Sequence, residues 1–310
     1  MEYDKYFQDH FGFREQLIQL DIKNPLKITS SPIINDGIKG KNGWYFYSSI
    51  SDGNNMIDFY KRNLFDSIQI EQFSKHISDT TDWCKENGIK FIFLIAPNKH
   101  SVYEEFFPGN RPEGITRADQ ITDIFDKLGV PYIFPRDFLI SKKADYDFPL
   151  YYETDTHWNS LGAYLTSTLL YKEFSSFFPN ITFPKIKYDI EIYYSMTSGD
   201  ILPMLGIENA KSTHPEFKPV GFKNTDFYTY VKNDGRKLIT NGSNKEYPRA
   251  LVFCDSFMEL LEPFISPFFS EAEYIHHQFS ESDKELILEF KPDIIIFESI
   301  ERSAQSIVNQ

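Results

Sequence analysis

The chain has 310 residues and is 41% hydrophobic, with 32 Lys and Arg against 45 Asp and Glu, a formal net charge of −13. That length fits one large domain or two small ones, and the apolar fraction is enough for a sizeable core. An acidic chain without a basic stripe is a poor match for nucleic acid or an anionic membrane surface, because both need clustered Lys and Arg.

No apolar run is long enough to span a membrane. The opening residues "MEYDKYFQDHFGFREQLIQL" lack the apolar stretch of a signal peptide, so the protein is read as cytoplasmic or as preceded by a leader or anchor. Cys84 and Cys254 are too few for a disulfide framework and leave the compartment open. The aromatic content of 17% suits a packed core and a sugar-lined cleft equally.

Residues 3–21 carry Tyr6, Phe7, Phe11, Leu17, Ile18 and Leu20 at helical spacing. "GKNGWYFYSS" (40–49) reads as a turn and a strand, and 70–87 as a helix stopped by Gly88. "IKFIFLIAP" (89–97) is a continuous apolar run of strand length, the pattern of a strand buried on both faces. A helix over 117–128, a short strand "VPYIF" (130–134) and a helix over 157–178 follow. Residues 180–247 read as irregular and polar, an insertion over a sheet near the active-site cleft. Then come a buried strand running into a helix (249–257, 258–269), a short strand (273–277), a helix (281–290) and a buried strand (292–299). Alternating apolar strands and helices imply an α/β fold, a mostly parallel doubly wound sheet covered on both faces in three layers. Nothing divides the chain, so 1–310 is expected to be one catalytic domain, with residues 1–50 packed on it.

Ligands of such sheets sit at the carboxyl ends of the strands, here after Ala96, Phe253 and Phe297. In "FCDSFMELL", Ser256 lies between a strand and a helix, where backbone N–H groups can hold an oxyanion. Ser256 is therefore a candidate nucleophile; the alternative is that Asp255 or Ser256 caps the helix. In "ETDTHWNSLGAY" (153–164), Asp155 and His157 could supply the base and its orienting carboxylate. The alternatives are a helix cap at Thr154 or Asp155 with Trp158 as packing, and a metal site, for which no HxH, HExxH or CxxC partner pattern exists. In "APNKHSVY" (96–103), Asn98, Lys99 and His100 could touch a ligand or form a solvated loop. His276 and His277 end another strand and rival His157 as base, while Cys254 reads as a small buried filler.

The His-bearing block precedes the Ser-bearing block, the reverse of ordinary SGNH-type esterases, although each half keeps its internal order. That is the signature of a circular permutation, which a doubly wound sheet tolerates when its termini lie close together. In this order "DHFGFREQLI", "GKNGWYFY", "APNKHSVY", "TDTHWNSLGAY", "SGDILPMLG", "ALVFCDSF" and "PDIIIFESIER" resemble the alginate O-acetyltransferase group of SGNH-hydrolase-like proteins (AlgJ/AlgX-like) over nearly the whole chain. The resemblance implies a triad of Ser256 as nucleophile, His157 as base and Asp155 as orienter. It implies acetyl transfer through acetyl-Ser256 onto a polysaccharide hydroxyl, outside the cytoplasm, with the acetyl donor supplied through a membrane-bound O-acyltransferase. No cofactor or metal is expected.

Two departures stand out. Cys254 replaces the usual glycine, and "FESIER" stands where a Gly-x-Asn-Asp block would supply an oxyanion donor. The oxyanion donors are then taken as the Ser256 N–H with Gly199 and Asn98 as further candidates, and the substrate contacts as Trp158, Tyr103, Lys99 and Arg302. A polysaccharide O-acetylesterase on the same triad and an inactive carbohydrate-binding scaffold are the alternatives.

Overall fold

The computed structural model describes residues 33–34, 36–49, 55–184, 187–197, 199–207, 212–220, 227–232, 234–241 and 244–308. The expected helix over 3–21 lies outside them. Strands β1 (Ile33–Ile34), β2 (Gly37–Lys39) and β3 (Tyr45–Tyr47) make a small antiparallel sheet.

Helix α1 (Ser67–Glu86) starts at a capping box in which the Asp66 carboxylate accepts from Gln69 N–H and the Gln69 side chain accepts from Asp66 N–H, and the turn after it ends at Gly88. Strand β4 (Lys90–Ala96) leads to helix α2 (Arg117–Leu128), which has a Thr116–Asp119 capping box and ends on left-handed Gly129. Strand β5 (Tyr132–Ile133) and helix α3 (Ser160–Phe177) follow.

The cap of α3 is Asn159, whose Oδ1 accepts from Leu161 N–H at 3.0 Å and Gly162 N–H at 3.1 Å. The expected cap at Thr154 or Asp155, with His157 inside the helix, is therefore corrected: residues 154–158 form a loop ahead of the cap.

The region 180–247 is strand-rich rather than irregular. It contains β6 (Lys187–Thr197) and β7 (Ser212–Val220), paired as a hairpin, then β8 (Phe227–Val231) and β9 (Lys237–Asn241). Strand β10 (Arg249–Phe253), helix α4 (Met258–Ile265), strand β11 (Glu271–Ile275), helix α5 (Lys284–Phe290) and strand β12 (Ile294–Ile300) complete the chain order.

The main sheet has seven strands in the order β5-β4-β12-β10-β11-β9-β8. The first five are mutually parallel, and β9 and β8 extend the sheet antiparallel. Counted from β10, the parallel part reads 2-1-3-4-5, the flavodoxin-like doubly wound order. The chain simply enters that order at its fourth strand, which is the permutation expected from the motif order.

Side chains alternate between two cores. Ile92, Leu94, Ala250, Val252, Ile294 and Ile296 face the layer of α3 and α4. Phe91, Phe93, Leu251, Phe253, Ile295 and Phe297 face Phe73 and Ile77 of α1, Phe125 of α2 and Ile287 of α5. Period-2 alternation with both faces covered is why these strands read as continuous apolar runs. Phe93, Phe297 and Phe253, neighbours in register on three adjacent strands, stack at centroid separations of 5.1 and 6.0 Å.

Candidate active site

The switch point of the strand order lies between β10 and β12, and the segments leaving these two strands build one wall of the site. After β10 the Asp255 carboxylate accepts from Phe257 N–H at 2.9 Å and from Ile300 N–H at 2.7 Å. Its own N–H donates to the fully buried Glu298 at 3.0 Å. These bonds fold the chain back at Ser256 and leave its hydroxyl exposed. Neither Asp255 nor Ser256 caps α4; the N-cap is Phe257, without a side-chain cap.

The opposite wall is the loop ahead of α3. A bridge between Tyr151 and Trp158 pinches it shut, with Asn159 N–H on Leu150 O at 3.0 Å, so Asp155 sits near the tip and His157 on the returning limb. The Asp155 carboxylate is held at both oxygens. Oδ1 accepts from His157 N–H at 3.0 Å and faces His157 Nδ1 at 2.7 Å, and Oδ2 accepts from Asp200 N–H at 3.0 Å. His157 Nε2 lies 2.8 Å from Ser256 Oγ. Asp155, His157 and Ser256 thus form one hydrogen-bonded chain, the last two lying 99 residues apart in sequence, with separations inside the usual ~2.6–3.2 Å reach of a nucleophile and its base.

The two walls are stitched one residue beyond His157 and Ser256. Trp158 Nε1 donates to Phe257 O at 3.0 Å, and the Phe257 ring packs against both His157 (4.6 Å) and Trp158 (5.4 Å).

The electrostatics favour an ion pair. Burial pushes the Asp155 carboxyl up, but its hydrogen bond to His157, the His157 charge and the two backbone N–H groups outweigh this and hold it at about 2. Burial lowers His157, but its hydrogen bond to Asp155, with the charges of Asp155, Asp200 and Asp255, raises it above the usual imidazole value. Asp200 is itself raised, by burial and by the Asp155 charge. It accepts from Thr156 N–H at 2.7 Å and lies 3.8 Å from His157 Nδ1.

Asp155, His157 and Asp200 also present ligand atoms within 4.8 Å of one another, the spacing of a small metal cluster. His157 Nδ1 in that group already faces Asp155, and the backbone already occupies Asp155 Oδ2.

The other sequence candidates fall elsewhere. Trp158 is fully buried and Tyr103 is 5% exposed, with Tyr103 Oη accepting from Leu150 N–H and its ring stacked 4.4 Å from Trp44. Neither offers a ring face to a sugar, which corrects their reading as platforms. Asn98 is buried, and its amide donates to Asp58 Oδ2 at 2.9 Å rather than pointing at an oxyanion. Arg302 lies over the Tyr47 ring at 5.0 Å and lines a small pocket with Asn98, Lys99, His100 and Thr156.

Gly199 (φ +62) sits against the Thr154 and Asp155 backbone, so closely that an added Cβ would collide with the Thr154 carbonyl. It is a close-approach glycine that places Asp200. The Lys99 ammonium is engaged by backbone carbonyls of the 152–155 loop. His277 pairs with Asp283 at 3.0 Å and His276 is exposed, so neither joins the Ser256 chain. The Cys254 thiol is buried, pushed well above its ordinary range by burial, and lies 3.6 Å from Ile275 O. Asp200 and Phe257 were not anticipated. The "SGD" of "SGDILPMLG" carried the signal for the first; nothing in the sequence marks the second.

Residues 38–243, more than half of the chain, match the model of the family described as SGNH hydrolase-like domain, acetyltransferase AlgX. Among curated proteins no match is found. Similar solved structures include PatB1 of Bacillus cereus with a sulfonyl adduct (17% identity, TM-score 0.60, covering 87% of this chain and 94% of that one). The O-acetyltransferase domain of AlgJ from Pseudomonas putida (15%, TM-score 0.56, 87% and 92%) and AlgX of Pseudomonas aeruginosa (14%, TM-score 0.53, 85% and 61%) are also similar. At these identities the structures speak for the SGNH-like fold alone, whereas the family match decides membership: the chain belongs to the AlgX family of SGNH hydrolase-like acetyltransferases.

Proposed function

We propose that the protein is a serine-dependent O-acetyltransferase that moves an acetyl group, through acetyl-Ser256, onto a hydroxyl of an extracytoplasmic polysaccharide. The observation that carries this reading is the unbroken Asp155–His157–Ser256 chain ending on an exposed hydroxyl. His157 Nε2 removes the Ser256 proton as Oγ attacks the acetyl carbonyl of the donor. The resulting imidazolium is stabilised by Asp155. The Ser256 N–H, which has no partner among the described residues, is offered as one donor to the tetrahedral oxyanion. Collapse expels the donor's leaving group, which takes the proton from His157. The acceptor hydroxyl then gives its proton to the same nitrogen as its oxygen attacks the acetyl carbonyl; collapse breaks the acyl–Oγ bond, and Ser256 Oγ takes that proton back from His157.

The acetyl group is proposed to arrive from a membrane-bound O-acyltransferase, as family membership suggests. No helix among the described residues is long and apolar enough to cross a membrane itself. The exposure of Ser256 to solvent favours one second reading, in which water is the acceptor and the enzyme is an O-acetylesterase.

Intact-mass measurement after mixing with p-nitrophenyl acetate tests the first half-reaction: one acetyl is expected on wild type and none on Ser256→Ala. Acetyl appearing on added oligosaccharide identifies a transferase, and release only as acetate an esterase. Absence of both adduct and turnover refutes the serine mechanism.

A further inference from the structure

Lys99 is the first residue of a single helical turn, Lys99–Val102, that follows β4, and it is only 5% exposed. Its Nζ donates to Tyr152 O at 3.0 Å, Glu153 O at 3.2 Å and Asp155 O at 2.6 Å. An ammonium has three N–H donors, and one loop supplies an acceptor for each. These carbonyls belong to a loop that is also tied to β3, where Tyr45 N–H donates to Glu153 O at 2.8 Å. On the other side of the ammonium lie the rings of Trp44 and Phe46, at 5.7 and 5.3 Å, which add cation–π attraction.

No ion pair among the described residues includes Lys99. Burying an ammonium without a carboxylate partner is costly, and a purely space-filling role would be served by an apolar side chain. The convergence of three carbonyls explains the cation: Glu153 O also accepts from Tyr45 N–H at 2.8 Å, but an apolar group there would take from Tyr152 O and Asp155 O the donor that Lys99 supplies.

We propose that Lys99 is a positioning residue for the triad: its ammonium holds the Tyr152–Asp155 loop from inside and so sets the Asp155 carboxylate against His157 Nδ1. It rests on the acyl-transfer reading only for its catalytic consequence; Lys99 touches neither Ser256 nor an acyl group. The charged groups around it are Asp155, Asp200 and Glu153, which favour its protonated form, while His100 and Arg302 share its pocket. Burial wins over those carboxylates and lowers its pKa to about 7. The lysine therefore loses its charge near neutral pH, and deprotonation of Lys99 shapes the alkaline side of the pH profile.

The test uses the full chain with Lys99→Met, nearly isosteric and uncharged, and Lys99→Ala. Lys99→Met is expected to react with a fluorophosphonate and with p-nitrophenyl acetate about 10²-fold more slowly, the loss expected for a displacement of about 1 Å. KM should be little changed and the alkaline limb gone. In Lys99→Ala, n-propylammonium, which replaces the missing atoms, should restore at least about tenfold of the rate, and n-propanol should not. Independently of turnover, the far-downfield proton resonance of His157 Nδ1–H should disappear or shift in Lys99→Met. Wild-type rates and an unchanged resonance in Lys99→Met overturn the proposal, as does rescue by n-propanol as well as by the ammonium. A wild type that neither labels nor turns over, with a resonance that still responds to Lys99→Met, overturns the acyl-transfer reading and supports the positioning role.

Discussion

Replacing Gly199 by alanine should perturb the proposed triad from a residue that carries no chemistry. Gly199 has φ +62, a left-handed conformation that costs an L-residue roughly 1–2 kcal/mol. The new Cβ would lie 2.5 Å from Thr154 C and 2.9 Å from Asp155 N, backbone atoms that cannot rotate away. Carbon contacts need about 3.5 Å or more, so the two backbones must part by about 0.5–1 Å. The first bond affected is Asp200 N–H to Asp155 Oδ2, 3.0 Å in the native chain. Freed at one oxygen, the carboxylate can swing off His157 Nδ1. A misplacement of this size costs about 10²-fold in rate, or about 2.7 kcal/mol of barrier. The assay is steady-state hydrolysis of p-nitrophenyl acetate beside a thermal melt. Gly199→Ala should lose about 10²-fold in kcat with KM nearly unchanged and remain folded, its midpoint lower by a few degrees. A folded variant within threefold of wild-type kcat would refute the idea that the Gly199–Asp200 turn holds Asp155.

Asp155→Asn should keep the fold and lose about 10³–10⁴-fold in kcat, because the amide stabilises neither the tautomer nor the imidazolium; stopped-flow acetylation of Ser256 measures it. His157 must be neutral to act as base and its pKa is raised. The acid limb of kcat/KM should therefore lie above the ordinary ~6.5 and move down in Asp155→Asn; a limb that does not move contradicts the charge coupling. Cys254→Ala should keep acetylation within about threefold, since the thiol is a buried filler, and lower stability by about 1 kcal/mol in chemical denaturation. Trp158→Phe leaves Phe257 O without its donor, and is expected to cost about 1–3 kcal/mol and to slow acetylation more than it changes KM.

The layered fold was legible because the sheet's interior strands are apolar on both faces. "IKFIFLIAP" and "PDIIIFES" can hardly be anything else once Gly88 and the adjacent helical periods are noticed. Strands β8 and β9 were not legible, for a physical reason. Tyr228, Tyr230 and Val231 are more than half exposed, and β8 is held in the sheet by backbone pairing with β9. Such a strand leaves no alternation of buried and polar residues to read.

The Asp155, His157 and Ser256 constellation could be guessed because its residue types and junctions are chemically suggestive. The residues that hold it were harder. The side chain of Lys99 could equally have reached a ligand, and only the three-dimensional loop shows that its acceptors are main-chain carbonyls. Trp158 beside His157 suggested a sugar platform, while its indole N–H instead ties the two halves of the site together. Asn159, not Asp155, caps α3, and that difference of about one helical turn decides whether His157 is a helical residue or a loop residue.

The strand order has a consequence for how the protein is made. β12 lies between β4 and β10, yet it follows every other strand in chain order. While the chain emerges from the ribosome, β4 and β10 each present an open, apolar edge awaiting the same missing neighbour. Parallel pairings between distant segments form slowly, and unpaired edges invite association with other chains. The sheet can close, and Ser256 can meet His157 in a settled frame, only after its keystone strand arrives. Nascent chains of this protein are therefore expected to be inert toward acyl donors and dependent on holding chaperones until late in synthesis.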